Sequence, residues 1–538
     1  MKEMHCVCLL KNVTDNCQYK MNGRRSLNEI TPGIQEFFAG RTVFITGGTG
    51  FLGAVLLEKL LRACPEITTV YLLVRPKRLH DVHNRVSTLF DSPLFSKHGP
   101  ESRRKVVAIP GDVSKSGLAL HEDDRNVLID TVSVVFHAAA TINFNAALQS
   151  AININLIGTK RVLQLCHHMK NIKALVYVST AYCNCTLGSV ILEQVYPAKY
   201  DPNYVIELVQ NKSPEETRNL TARLTSDHPN TYSFSKQLAE NLVKTERKQI
   251  PVAIVRPTVV LGTLKEPVAG WIDNVQTGGF AFIAGAAKGV FRVVVADQNR
   301  VADIVPCDHV ANLMLAAAWR AGVSSEDLTL KVYHCSTGTT NPVTWGQYTN
   351  HVVEMVRKHP CHEMLWYPAA KCRLSPLRST IAVLLLHILP AYALLAVTKL
   401  RGKPNRVLLS VQQKYALGIK HVKYFTKRQW HFDINNTSEL AESLKPTDRR
   451  LFDFDPKNID WYSYLQANVL GVREYYHKEP TTTLNEARKR IKRFWLLHMA
   501  AHIALFLMVL LAAHLLLGTD LVVSIMLAVV FTVLFVWL

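Results

Sequence analysis

The segment Thr42-Val-Phe-Ile-Thr-Gly-Gly-Thr-Gly-Phe-Leu-Gly53 places three regularly spaced glycines directly after a short apolar run. The run is typical of a buried strand, and the stretch 54–62 that follows the glycines has the length and composition of a helix. Glycines in this context allow a tight turn, close approach of a pyrophosphate to the backbone, and close packing of helix on strand. The N–H groups at the start of the helix would face the phosphates. We therefore expect a dinucleotide-binding loop made of Thr46, Gly47, Gly48, Thr49, Gly50, Phe51, Leu52 and Gly53.

Five further apolar runs follow, at intervals that leave room for crossover helices. They are too apolar for strands that are wet on one face, and they suit a parallel sheet that is buried on both faces. The predicted fold class is α/β: a doubly wound parallel (Rossmann) sheet reaching to about residue 320, a smaller, mostly helical C-terminal domain, and a transmembrane tail. The predicted strands are Thr42–Thr46, Val70–Val74, Val106–Ile109, Val132–Phe136, Leu175–Ser179 and Val252–Arg256.

The residue after the second predicted strand indicates which dinucleotide binds. An acid there would bind the ribose of NAD, whereas a cation accommodates the 2′-phosphate of NADP. The chain has Arg75 at this point, which favours NADPH; the alternative is an arginine that merely lies on the surface. Asp112 follows the third predicted strand and is placed to accept a hydrogen bond from the adenine amino group. The other positions expected to contact the cofactor are Val113, Ala138, Pro257 and Lys236, which would hold the ribose of the nicotinamide.

Tyr232 and Lys236 are one helical turn apart, so their side chains share a face. Reduction of a carbonyl needs a proton donor, and a nearby lysine cation is expected to lower the pKa of the Tyr232 phenol toward neutrality. Thr180 follows the fifth predicted strand, and its hydroxyl is placed to donate to the same carbonyl oxygen, with Ser179 as the alternative. The spacing alone is weak evidence, because it recurs at Tyr367, where no cofactor fold surrounds it.

The composition of the 538-residue chain narrows its class: 48% of the residues are hydrophobic and the formal net charge is +20. So many apolar residues exclude an intrinsically disordered chain. Eleven cysteines without a Cys-x-x-Cys pair predict reduced thiols facing the cytosol and no metal site. The stretch 364–432 holds twelve basic residues and no acidic one, and 488–493 adds five more. Because both stretches adjoin apolar runs, they predict contact with an anionic membrane surface or a phosphate-bearing ligand, and no nucleic acid.

Eight short motifs occur in order along the chain: TGGTGFLG, YLLVRPK, GDV, FHAAATINF, STAYCN, NTYSFSK, IVRPTVV and EPVAGWIDN. In combination they resemble the alcohol-forming fatty acyl-CoA reductases, a family of extended short-chain dehydrogenase/reductases. The similarity runs from about Ile34 to about Tyr476, and Leu386–Ala391 resembles part of the signature of that family's C-terminal domain.

The resemblance implies NADPH as cofactor and a long-chain fatty acyl-CoA as substrate. The acyl group would be reduced to the alcohol by two successive hydride transfers with release of CoA. Tyr232 and Lys236 correspond to the catalytic pair of the family, and Thr180 or Ser179 to its hydroxyl partner. One departure is the stretch 141–146, which reads Thr-Ile-Asn-Phe-Asn-Ala where members commonly have an arginine and two acids. The alternatives are a membrane-bound hydroxysteroid dehydrogenase of the same superfamily and a nucleotide-binding scaffold without turnover.

The sequence divides into five regions. They are a variable lead-in (1–37), an NADPH-binding reductase domain with substrate-binding insertions (38–363), a C-terminal reductase-family domain (364–478), a basic linker (479–495) and a membrane anchor (496–538).

The anchor consists of two apolar runs, 496–517 and 521–538, each long enough to cross about 30 Å of hydrocarbon. The basic segment 488–493 places the preceding domains in the cytosol, so we predict a hairpin, with one tilted span plus an interfacial helix as the alternative. His387 and Pro390 interrupt a third run, 381–397, which favours one-leaflet insertion or an acyl-tunnel wall over a full span. Membrane lipid is an expected partner, and a second copy of the chain, in a homodimer, is a further candidate. The expected membrane is that of the endoplasmic reticulum, ahead of the peroxisome and the lipid droplet.

Overall fold

The computed structural model describes residues 32–76, 82–273, 278–324, 328–402, 406–516, 518 and 520–537. Its centre is a seven-stranded sheet in which every neighbouring pair is parallel, in the order β11-β7-β5-β4-β1-β2-β3. The strands of this sheet are β1 (Thr42–Thr46), β2 (Thr69–Val74), β3 (Val106–Pro110), β4 (Val134–His137), β5 (Ala174–Val178), β7 (Val252–Pro257) and β11 (Lys331–Cys335).

The predicted doubly wound parallel sheet is confirmed, and all six predicted strands are present with ends shifted by at most two residues. The sequence prediction missed the seventh strand, β11, which extends the edge beyond β7 and lies past the expected limit near residue 320. Strand order reverses between β1 and β4, which pair from Val43↔Val134 to Thr46↔His137. Ligands of such sheets bind where the order reverses, at the carboxyl ends of the strands.

Helices cover both faces of the sheet, as alternation along β1 requires: Val43 and Ile45 join the apolar core on one face, and Phe44 joins the core on the other. Nine helices in the described residues before 231 flank or border the sheet. They are α1 (Ile34–Phe38), α2 (Phe51–Ala63), α3 (Val82–Phe90), α4 (Pro100–Arg104), α5 (Glu122–Thr131), α6 (Leu148–Ala151), α7 (Gly158–His168), α8 (Pro202–Gln210) and α9 (Pro214–Leu224). Further along come α10 (Thr231–Glu246), α11 (Gly278–Ala287) and α12 (Cys307–Val323).

The remainder of the described chain is mostly helical, as expected for the C-terminal region. Its helices are α13 (Trp345–Lys358), α14 (Pro376–Val383), α15 (Leu389–Leu400), α16 (Val407–Thr426), α17 (Asn435–Ser443), α18 (Pro446–Leu451), α19 (Trp461–Gly471), α20 (Leu484–Leu516) and α21 (Leu521–Trp537). Short strands tie this region to the first half. Parallel pairs join β12 (Lys371–Cys372) to β9 (Val293–Val294) and β13 (His431–Phe432) to β6 (Val190–Ile191). A third parallel pair, β10 (Ile304–Pro306) with β8 (Val259–Leu261), lies wholly before residue 330.

Two helices are long and apolar enough to cross a membrane by length and composition: Pro376–Leu400 and Thr481–Leu515. The second contains the first predicted run of the anchor, and α21, which holds a shorter apolar helix, packs against it. The third predicted run, 381–397, lies within the first of these two helices, and its insertion into one leaflet or its role as a tunnel wall stays a prediction. A π-helical turn, Leu384–Ile388, connects α14 to α15, and Pro390 lies in the first turn after it. Such a turn contains one extra residue, which changes the spacing of the backbone hydrogen bonds just before the proline, whose nitrogen cannot donate one.

Candidate active site

The glycine loop lies between β1 and α2 and is too tight for side chains at two of its positions. Gly47 has a φ of +79°, and a Cβ there would lie 2.7 Å from the backbone nitrogen of Ala139. A Cβ on Gly53 would lie 2.1 Å from the carbonyl oxygen of Gly47. The Gly50 N–H closes the turn by donating to the Gly47 carbonyl at 2.9 Å. A bare backbone surface at a helix N-terminus fits the pyrophosphate of a dinucleotide.

The other residues at the loop fix its position through hydrogen bonds and packing. Thr46 Oγ1 bonds to His137 Nδ1 at 2.7 Å and accepts from the Ala139 N–H at 3.3 Å, which joins the ends of β1 and β4. Ala138 donates its N–H to the Thr46 carbonyl, so the predicted Ala138 lies at the same edge. Phe51 stacks on the Trp271 ring, and it and Leu52 pack on the core beneath the loop.

Two arginines stand beside the loop where one was expected. Arg75 is exposed after β2, as predicted, and Arg85 of α3 donates to the Arg75 carbonyl at 2.7 Å and to Thr49 Oγ1 at 2.9 Å. Burial, and then the charge of Arg75, lower the pKa of Arg85, so the two cations are close neighbours. Sequence reasoning missed Arg85, because only the fold brings α3 back to the loop. Paired cations beside Thr49 fit the 2′-phosphate of NADP.

Asp112 and Val113 lie at the same edge of the sheet, after β3. Asp112 Oδ1 accepts from the Ser114 N–H at 2.8 Å, and Val113 is buried, with its carbonyl accepting from Arg161 at 2.9 Å. Asp112 is therefore held at the end of the strand, where the prediction places the adenine.

Tyr232 lies in the first turn of α10, which begins with Asn230 as its N-cap; the Asn230 side chain accepts from the Ser233 N–H at 2.8 Å. Burial raises the pKa of the Tyr232 phenol, and an interaction with the Thr180 hydroxyl partly offsets that rise. The expected lowering by Lys236 is not what the structure gives, because desolvation dominates. A phenol with a raised pKa stays protonated at neutral pH and keeps its proton available for donation.

The two candidate hydroxyls differ in their contacts. Thr180 Oγ1 interacts with Tyr232 and donates to the Pro257 carbonyl at 3.5 Å, so Pro257 stands at the site, as predicted. Ser179 is 2% exposed, and its Oγ is buried without a hydrogen-bond partner in the described part of the chain. The geometry thus favours Thr180 over Ser179 as the partner of the phenol.

Lys236 is buried beneath the site. Its ammonium donates to the Val178 carbonyl at 2.7 Å and to the Tyr177 hydroxyl at 3.3 Å, and lies 4.7 Å from the centre of the Tyr177 ring. Burial lowers the pKa of Lys236 to about 8, and the charge of Glu240 acts against that fall. One more turn along α10, Glu240 pairs with Arg256 at 2.6 Å, both fully buried.

An aromatic cluster, to which the C-terminal region contributes Phe425, covers the phenol. Phe144 stacks on Tyr232, with ring centres 5.6 Å apart. Phe425 of α16 packs 6.0 Å from Phe144 and 5.2 Å from Tyr182, and His421 bonds to Asn145. We call Phe144, Tyr182 and Phe425 the aromatic roof. Phe144 and Asn145 belong to the stretch 141–146, which departs from the family pattern. No pattern in the sequence indicates that this stretch contacts α16.

Family models described as "Male sterility protein" match residues 45–314 and 386–479. Fatty acyl-CoA reductase 1 of Homo sapiens is 36% identical over 463 residues, 86% of this chain and 89% of that protein. The Xenopus laevis protein of the same name is 36% identical over the same shares.

Among solved structures, the terminal R domain from the myxalamid PKS-NRPS pathway aligns over 82% of this chain and 92% of its own, with a TM-score of 0.54 and 20% identity. The reductase domain of a non-ribosomal peptide synthetase from Mycobacterium tuberculosis aligns over 82% and 93%, with a TM-score of 0.52 and 18% identity. These similarities show that the chain shares the fold of the two domains. The relatives are 36% identical over most of this chain, and the family models match both the glycine loop and the helical region that contributes Phe425 to the aromatic roof, so the chain belongs to the fatty acyl-CoA reductase family.

Proposed function

We propose that the protein reduces a long-chain fatty acyl-CoA to the fatty alcohol, using two molecules of NADPH and releasing CoA. The observation that carries the proposal is the partly buried Tyr232 phenol, in contact with Thr180 and covered by Phe144, at the sheet edge that holds the glycine loop. The family model that matches 386–479 favours this activity over the hydroxysteroid dehydrogenase alternative.

Bound NADPH would supply the hydride, once to the thioester and once to the aldehyde. The chain's own residues would handle the oxygen and its proton. Thr180 donates a hydrogen bond to the developing oxyanion, and Tyr232 Oη gives up its proton to it. Lys236, one turn further along α10, would hold the ribose of the nicotinamide with its ammonium group and does not lower the pKa of the phenol. Release of CoA as the thiol completes the first reduction, and the aldehyde stays under the aromatic roof for the second.

The preference for NADPH over NADH is part of the proposal and is supported by the pair Arg75 and Arg85. Arg85 donates to Thr49 Oγ1, and the charge of Arg75, which directly follows β2, is close enough to lower the pKa of Arg85. A 2′-phosphate would pair with both charges, whereas a bare ribose hydroxyl would leave them without a partner. The preference for a long acyl chain is supported by the apolar roof, whose rings offer a surface to hydrocarbon beside the phenol.

The membrane attachment that we propose is a hairpin of α20 and α21, with the reductase domain in the cytosol. The helices pack against each other, and the basic segment 488–493 precedes the apolar part of α20. The endoplasmic reticulum remains the proposed membrane. An alcohol product made beside the bilayer would pass directly into it.

The test uses full-length protein purified in detergent. NADPH oxidation is followed with palmitoyl-CoA and, in parallel, with a 3-ketosteroid, and lipid products are identified by gas chromatography. We expect hexadecanol, with about two NADPH oxidised per alcohol, as the two hydride steps require. Turnover of the steroid without turnover of the acyl-CoA would overturn the assignment.

A further inference from the structure

Three arginines that the reductase chemistry does not use gather around the pair of strands β9 and β12. Arg292 directly precedes β9, Arg373 directly follows β12, and Arg357 comes from α13. Backbone bonds fix the first two: the Lys371 N–H donates to the Arg292 carbonyl at 3.1 Å, and the Arg373 N–H donates to the Val294 carbonyl at 2.7 Å. We call Arg292, Arg357 and Arg373 the arginine cluster.

The cluster has no counter-charge in the described residues, and its members differ in burial: Arg373 is buried, Arg292 is partly buried, and Arg357 is exposed and donates to the Pro368 carbonyl at 2.9 Å. Arg373 is 9% exposed, and the Nε atoms of Arg292 and Arg373 are both buried without a hydrogen-bond partner. In the part of the chain that the structure describes, no ion pair includes any of the three arginines. Unsatisfied donors on buried cations are strongly unfavourable unless a ligand or an opposite charge completes them.

The charges also repel one another. Burial lowers the pKa of Arg292 to about 10, and the nearby charges of Arg373 and Arg357 contribute to the fall. Burial likewise lowers the pKa of Arg373. A fold that holds like charges together in this way creates a strongly positive potential, which an anion would relieve.

The cluster lies between the active site and the tail. Tyr415 of α16 donates its hydroxyl to the Val293 carbonyl beside Arg292, ten residues before Phe425 of the aromatic roof. At 1.5 Å per residue, the cluster stands about 15 Å from the roof along that helix. On its other side, Trp366 packs on Phe494 and His498 of α20, where the apolar part of that helix begins. The Trp366 Nε1 is a further buried donor without a partner.

We propose that the arginine cluster, with Trp366, binds a phosphate group that belongs to the headgroup of an anionic phospholipid. Guanidinium groups match phosphate oxygens in paired hydrogen bonds, and the indole N–H adds one more donor. The position beside the start of the apolar tail favours a lipid as the source. The phosphates of CoA have the same chemistry and are the alternative ligand. Binding of CoA at this site would rest on the proposed reductase activity, whereas binding of a phospholipid would not.

The experiment measures binding directly on full-length protein in detergent. Dioctanoyl phosphatidic acid is the lipid probe, with dioctanoyl phosphatidylcholine for comparison, and CoA is the soluble probe, with pantetheine for comparison. Affinity and the rise in Tm on addition are measured for the wild type, Arg292→Gln, Arg373→Gln and Arg378→Gln. The last variant is the matched control, because it removes the same charge from an exposed position in the same segment.

We expect phosphatidic acid to raise the Tm of the wild type and of Arg378→Gln, and to bind Arg292→Gln and Arg373→Gln about tenfold or more weakly. If CoA but not phosphatidic acid shows this pattern, the phosphate site stands and the lipid source is overturned. If neither probe stabilises the wild type, or if Arg378→Gln loses as much binding as the cluster variants, the site is overturned. The lipid measurements need no turnover, so they stand apart from the test of the reductase activity.

Discussion

The buried pair of Glu240 and Arg256 offers a sharp test of how the fold supports the catalytic lysine. Arg256 is 0% exposed and makes polar contacts on every side. It donates to Glu240 at 2.8 and 2.6 Å, to the carbonyls of Leu192 and Gln194 at 3.2 and 2.8 Å, and lies 3.1 Å from His334 Nε2. Glu240→Gln would keep the shape of the side chain while leaving the arginine charge buried without a counter-charge.

The expected loss of stability follows from that geometry. Removing one partner of a fully buried ion pair lowers the free energy of unfolding by about 3–5 kcal/mol. Glu246, on the same helix, pairs with Lys160 at 3.2 Å, and both side chains are about a quarter exposed. Glu246→Gln is therefore a matched control with an expected loss of about 0–1 kcal/mol. Urea unfolding followed by tryptophan fluorescence measures both.

The same substitution would also move the pH dependence of activity. Burial lowers the pKa of Lys236 to about 8, and the negative charge of Glu240 opposes that change. Activity that needs the cation should therefore fall as the pH rises through about 8 in the wild type. In Glu240→Gln the opposing charge is absent, the pKa of Lys236 falls further, and the alkaline limb of kcat/KM moves to lower pH.

Two results would refute this reasoning. One is a stability loss no larger for Glu240→Gln than for Glu246→Gln, which would mean that the buried arginine needs no counter-charge. The other is an alkaline limb that stays in place in Glu240→Gln, which would mean that Lys236 does not control it.

Three further predictions concern the cofactor and the anchor. Gly53→Ala would place a Cβ 2.1 Å from a backbone oxygen and should abolish NADPH binding, measured by fluorescence. The control Gly99→Ala, whose Cβ would have no atom within 4 Å, should bind NADPH normally. Equal binding by both variants would show that the loop tolerates a side chain. The double variant Arg75→Ala, Arg85→Ala should raise the KM for NADPH by about tenfold or more with little change for NADH, since it removes charge-assisted bonds; a parallel rise for both would place the arginines outside the phosphate site. Full-length protein should stay with membranes in alkaline carbonate, and protein truncated before 496 should be extracted; retention of the truncated form would move the anchor to Pro376–Leu400.

Features that depend on neighbouring residues in the sequence were predicted well. The loop from Thr46 to Gly53 follows from a strand, glycines and a helix in immediate succession, and the structure has that arrangement. Strand β11 was missed because Lys331-Val-Tyr-His-Cys335 is short and mixes polar with apolar residues; its place beside β7 is what makes it a strand.

Long-range contacts and burial were beyond the reach of the sequence. Arg85 reaches the loop from α3, and Phe425 reaches Phe144 from α16, hundreds of residues later. The spacing of Tyr232 and Lys236 correctly placed them on one helix, but spacing says nothing about desolvation, which raises the pKa of the phenol instead of lowering it. The continuous helix through Pro390 depends on a π-helical turn that no local pattern announced.

The central claim is that the phenol of Tyr232 supplies the proton during reduction of the acyl group. Tyr232→Phe keeps the ring that stacks on Phe144 and removes only the hydroxyl, and Tyr367→Phe, at the second Tyr-x-x-x-Lys spacing, is the control. Hexadecanol formation from palmitoyl-CoA, measured by gas chromatography with NADPH binding checked in parallel, should fall by about 10²–10⁴-fold in Tyr232→Phe and stay normal in Tyr367→Phe. Near-normal alcohol production by Tyr232→Phe would contradict the account.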